Sequence, residues 1–149
     1  MQSRLLFVLM ALALGAILPL QAAINARLAK TADNNPVMAA FVSFAVGTIA
    51  LLFFLMLTGQ FKFGYASGHN PWWIWTGGLL GIFFVAGIVI LLPRLGVALS
   101  FGLVVAGQMF AAVLFDQFGW MGQVVREISA GKIIGAILLI AGVILIRKY

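Results

Sequence analysis

From Leu5 to Ala26 the chain carries no ionised side chain, and Arg4 and Arg27 close the run at either end. Four later apolar stretches follow. A bilayer core about 30 Å thick is crossed by about 20 apolar residues in helical form. The expected spans are therefore residues 5–26, 36–58, 72–92, 97–115 and 131–146. The runs are continuous and do not alternate, which argues against the strands of a membrane barrel. With 64% hydrophobic and 8% charged residues, a soluble domain of this size could not hide its apolar surface. The expected fold is an all-α integral membrane protein, one five-helix transmembrane domain over residues 1–149 whose surroundings are the lipid bilayer.

The punctuation agrees. Pro36 suits the first turn of a helix, and "PWWIW" places Trp72, Trp73 and Trp75 where an aromatic belt would meet the interface. "PRLG" reads as a tight turn between spans three and four. The one long connector, about Gln117–Ala130, contains "WMGQVVREIS" and is expected to lie along the membrane surface. "LQAA" near Leu20 also fits a small-residue cleavage site. The uncharged run Leu5–Leu20, already sixteen residues, exceeds the apolar core of a signal peptide, about 7 to 15 residues. A retained first helix is the better expectation.

Several function classes drop out. The chain has no cysteine, so disulfides and thiolate metal sites are absent. The nine cations are scattered along an apolar chain; they read as interfacial anchors and not as a nucleic-acid surface. His69 falls in a loop. No acid–base pair or metal-binding cluster is evident, so neither an enzyme, a bound metal nor a cofactor is expected.

The cations also carry topological information. With five spans, Arg4, Lys62, Arg126 and Lys132 fall on the N-terminal side, and Arg27, Lys30, Arg94, Arg147 and Lys148 on the other. Four plus five accounts for all nine. Orientation follows Lys/Arg excess in short loops, and here the excess is close to nil. A chain without bias can be a weak single topology or one biased by a partner. It can also insert both ways and assemble as an antiparallel homodimer. Inverted repeats meeting around a midplane site are a common transporter design.

Small residues mark close-packing seams: Ala39, Ser43 and Gly47 in span two; Gly77 and Gly81 in span three; Ala98, Gly102 and Ala106 in span four. In span five, Gly131, Gly135 and Gly142 do so, with Gly135 and Gly142 the candidate dimer seam. No acidic, basic or histidine side chain sits well inside a span, although proton-driven pumps usually place one there. The polar residues at depth are Gln21, Asn25, Ser43, Thr48, Ser100 and Gln108. Gln21 and Asn25, four apart, share a helix face, and Pro19 frees a carbonyl one turn earlier. Gln108 needs a partner, because an unpaired amide in hydrocarbon is costly. Pro19, Gln21, Asn25, Ser43 and Gln108 are therefore candidate substrate-pathway residues. Interhelical glue is the plainer role for each. Phenylalanines turned inward would line an apolar cavity for an amphiphile or, through ring faces, an organic cation.

"GAILPLQAAINARLAK", "AAFVSFAVGTIALL", "PWWIWTGGLLGIFFVAGIVILLPRLGVAL", "VAGQMFAAVLFDQFGW" and "GKIIGAILLIAGVILI" together resemble the small YdcZ-like membrane proteins of the drug/metabolite transporter superfamily. The resemblance covers nearly the whole chain. Members of that family look like half of a ten-helix transporter, found singly, in pairs or as fused copies of opposite orientation. It implies a bacterial inner-membrane location and, for this charge-balanced chain, an antiparallel homodimer. The last helix is also similar to that of four-helix multidrug exporters, where it mediates dimerisation. Those exporters carry an essential glutamate in helix one; this chain has Gln21 and Asn25 there, so their proton antiport does not carry over.

The leading expectation is a secondary transporter or facilitator of a small metabolite or an amphiphilic or cationic compound, working by alternating access between two inverted protomers. A dual-topology ion channel, or a structural, accessory or lipid-carrying membrane protein, are the competing readings.

Overall fold

A computed structural model describes residues 2–61, 71–120 and 123–149; Lys62 and His69 lie outside them, as does the middle of the connector at 121–122. Five α-helices follow one another: α1 (Gln2–Thr31), α2 (Pro36–Leu57), α3 (Gly77–Leu95), α4 (Val97–Phe118) and α5 (Ala130–Lys148). A 3-10 turn, Trp72–Thr76, leads into α3. All five helices, α3 with this turn included, are long and apolar enough to cross a membrane. The chain divides into two compact units, Met1–Pro93 and Arg94–Tyr149.

In the first unit, α1 and α2 are joined by a short turn whose geometry the sequence explains. Asp33 and Asn34 adopt left-handed backbone, with φ of 52° and 57°, a region their short polar side chains tolerate. Asn35 then caps α2, its Oδ1 accepting from the N–H groups of Val37 (3.0 Å) and Met38 (3.1 Å). Pro36 follows at the first helical position, where its missing donor costs nothing. Thr31 Oγ1 donates to the Leu28 carbonyl at 2.7 Å and finishes α1. Beside this turn Ala29, Ala39 and Val89 form a small core, with Leu28 packed on it. Alanines let the helix backbones approach closely, the usual means of helix association in lipid. Higher in the unit, α3 passes α2 at Gly81, where an added Cβ would stand 3.0 Å from Phe44 Cζ.

The second unit is α4 packed on α5. Gly102 is the contact: a Cβ there would lie 3.2 Å from Val143 Cγ2, and Val143 is buried. Ser100, fully buried two residues earlier, donates its hydroxyl to the Gly96 carbonyl at 2.6 Å. The α4–α5 connector folds back on the end of α4. The Arg126 N–H donates to the Asp116 carbonyl at 2.7 Å, and the Ile128 N–H to Gln117 Oε1 at 2.8 Å. Trp120 stacks on Phe118 at 5.2 Å and meets Phe115 edge-on at 5.6 Å.

Several boundaries differ from the sequence expectation. α1 extends to Thr31, beyond the expected end at 26. Charge ends the hydrophobic run there but not the helix, since Arg and Lys stems can reach toward the interface from helical backbone. α3 continues through Pro93 and Arg94 to Leu95. The expected turn at "PRLG" is thus narrowed to Gly96, whose φ of 75° breaks the helix. Proline removes one hydrogen bond from a last turn without ending it. α4 runs to Phe118, three residues past the expected 115, and holds Asp116 and Gln117 in its final turn.

Candidate functional site

The residues expected along a substrate route are distributed unevenly. On α1, residues 22, 25 and 29 form the buried stripe: Ala22 is 3% exposed, Asn25 2% and Ala29 5%. Pro19 is half-buried within a continuous helix, and Gln21 is exposed. Four-residue spacing put Gln21 and Asn25 on one face. The stripe instead follows the three- and four-residue steps from Ala22 through Asn25, and Gln21 falls at its rim. On α2, Ser43 is half-buried. Gln108 belongs to the second unit, where it is exposed. It is six residues from Gly102, about 240° around the helix at 3.6 residues per turn, so it points away from the α5 contact.

Asn25 is the unusual member. Its Nδ2 is buried without any hydrogen-bond partner among the described residues. Neither Gln21 nor Ser43 supplies one. Leaving a buried donor unmade costs about 1–3 kcal/mol. Glue between helices of this chain would have removed that cost, and it has not. Ser100 makes the contrast: equally buried, it is satisfied by its own helix.

A second feature of the first unit is a recess of about 360 Å³ lined by Val37, Phe41, Phe44, Ala45, Thr48 and Ile82. It is an open groove: Val37, Phe41, Thr48 and Ile82 are exposed. Its walls are aromatic and aliphatic, with the Thr48 hydroxyl the one polar side-chain group. The sequence lists Phe41, Phe44 and Thr48 on one helix, but the recess exists because Gly81 lets Ile82 of α3 come alongside. That lateral fit has no signature in one strand of text.

Among the described residues, the ionised side chains of the five helices sit in or near their end turns. Asp116 and Lys132, at the ends of α4 and α5, pair at 3.0 Å, and Lys132 Nζ also donates to the Arg126 carbonyl at 3.3 Å. The two stand 16 residues apart in the chain, and nothing in the sequence pattern paired them. No group of three or more potential metal-ligating residues occurs among the described residues.

Comparison with known proteins adds the family. The family model described as "Putative inner membrane exporter, YdcZ" matches residues 6–145. The chain is also 29% identical over 138 residues to the "Inner membrane protein YdcZ" of Escherichia coli (strain K12), spanning 92% of this chain and 91% of that protein. No solved structure matches it. With the match running almost end to end and five helices of spanning length, the chain belongs to the YdcZ family of multi-pass inner-membrane proteins.

Proposed function

We propose that the protein is a secondary transporter or facilitator for a small metabolite or amphiphilic molecule. It works as an antiparallel pair of five-helix protomers that rock about a shared central route. The observation that carries this reading is the orphaned amide of Asn25, held 2% exposed in α1 shortly before Arg27. A polar group retained in a span at a cost to stability is a functional group by default. The family description as an exporter supports transport, and the near-equal division of cations supports insertion in both orientations. In this reading Gln21 and Gln108, each exposed on its own helix, are further pathway residues. Gly135 and Gly142, where an added Cβ has open space beyond the helix's own backbone, are the proposed seam for pairing through α5.

Two measurements on one preparation test this. Because the chain has no cysteine, Tyr149→Cys gives a single reporter for a membrane-impermeant maleimide applied to intact spheroplasts. About half of the copies should react under antiparallel assembly; labelling of all copies or none overturns it. Separately, proteoliposomes loaded with a cell metabolite extract should lose at least one component faster than protein-free vesicles, as read by mass spectrometry. Equal retention of every component overturns transport.

A further inference from the structure

An unmet donor specifies what it lacks. Asn25 presents a buried Nδ2 with no acceptor, and the flanking stripe residues Ala22 and Ala29 offer none from their side chains. Among the described residues, no carboxylate lies within the hydrophobic part of any span. Asp33 sits in the α1–α2 turn, Glu127 in the connector, and Asp116 is already paired with Lys132. An organic cation entering here would meet an N–H donor and no counter-charge. An anion would fare little better, since Arg27 and Lys30 are exposed at the end of α1 and no cation stands deeper. Charge of either sign is costly at membrane depth unless paired. The recess beside Phe41, Phe44 and Ile82 is equally uncharged.

We infer that the substrate is an uncharged amphiphile bearing a strong hydrogen-bond acceptor, a carbonyl or phosphoryl oxygen, and that Asn25 Nδ2 donates to that oxygen. This rests on the transporter reading above and narrows it, setting aside organic cations. A matched donor–acceptor contact in a dry site discriminates far more than apolar fit does, because the analogue lacking the acceptor leaves the donor unpaired. Asn25 is then the specificity-determining residue of the route.

Three probes of similar shape separate the possibilities: triphenylphosphine oxide (neutral, strong acceptor), tetraphenylphosphonium (cation, no acceptor) and tetraphenylborate (anion, no acceptor). Each is titrated calorimetrically into the full chain in phosphatidylcholine nanodiscs, with empty nanodiscs as the blank. The oxide should bind saturably, and neither ion should. Asn25→Leu should weaken oxide binding about tenfold or more, the range of one hydrogen bond to a buried donor. Asn25→Gln, which keeps the donor, should retain measurable oxide binding. Wild-type binding of either ion as tight as the oxide overturns the inference, as does oxide binding unchanged in Asn25→Leu. The wild-type comparison alone decides the matter if the variants do not fold. Metabolite efflux from the loaded vesicles remains a separate readout: efflux of a charged compound sinks the substrate class and leaves transport standing, whereas no efflux at all sinks transport.

Discussion

Lys132 Nζ lies 3.0 Å from Asp116 Oδ2, closing a loop of 16 residues across the α4–α5 connector. Each charge occupies the unfavourable end of its own helix: Asp116 is in the last turn of α4 and Lys132 in the first turn of α5. The macrodipole disfavours an anion at a C-terminus and a cation at an N-terminus. Paired, the two neutralise each other and pin the connector, whose Arg126 carbonyl accepts a further hydrogen bond from Lys132 Nζ.

That arrangement makes the two substitutions non-additive. Asp116→Asn strands Lys132 beside the N-terminus of α5, and Lys132→Gln strands Asp116. The double variant should be less destabilised than the sum of the singles. Because both side chains are about a third exposed, the coupling should be small, about 0.2–1 kcal/mol. Unfolding in mixed detergent–SDS micelles, followed by Trp fluorescence, measures it; strict additivity would show that the pair does not interact.

Gly119 ends α4 in left-handed backbone with φ 60°, and a Cβ there would stand 2.7 Å from Val125 Cγ2 and 3.1 Å from the Gln123 carbonyl oxygen. Gly119→Ala should cost at least the left-handed penalty, about 1–2 kcal/mol, plus the clash. Adding Val125→Ala should recover the part due to the side chain and leave the backbone part. The same unfolding assay separates them.

Two glycines on facing helices should behave oppositely. Gly102→Leu drives a side chain into Val143 and should destabilise the α4–α5 pair by about 1–3 kcal/mol. At Gly135 an added Cβ has open space beyond its own helix backbone, so Gly135→Ala should not lower the unfolding midpoint. If α5 is the seam between copies, it should lower crosslinked dimer in membranes. Unchanged crosslinking would move the seam elsewhere.

Asn35→Ala removes the acceptor of two backbone donors at the start of α2. The expected loss is about 1 kcal/mol. Hydrogen exchange should quicken at the amides of Val37 and Met38 while α4 and α5 are unaffected.

How much of this was written in the chain itself can be judged residue by residue. The five spans, the proline at the head of α2, the tryptophans before α3 and the family were legible, because each rests on local pattern: continuous apolar runs, cap chemistry and motif strings. Position within apolar runs also marked Asn25 and Gln108 as polar candidates. Which polar group is stranded was not legible. Asn25 and Gln21 are equivalent by spacing, yet one is buried and the other exposed. Gly102 and Gly135 look alike in sequence, yet one is pressed against Val143 and the other against nothing. The pairing of Asp116 with Lys132 depended on the connector folding back along α4. Helical repeat determines only the angle at which a side chain leaves its axis; what stands opposite that angle depends on where a neighbouring helix arrives. Sequence alone settled that these helices live in lipid, and tertiary packing decided which of their polar atoms are left unmet there.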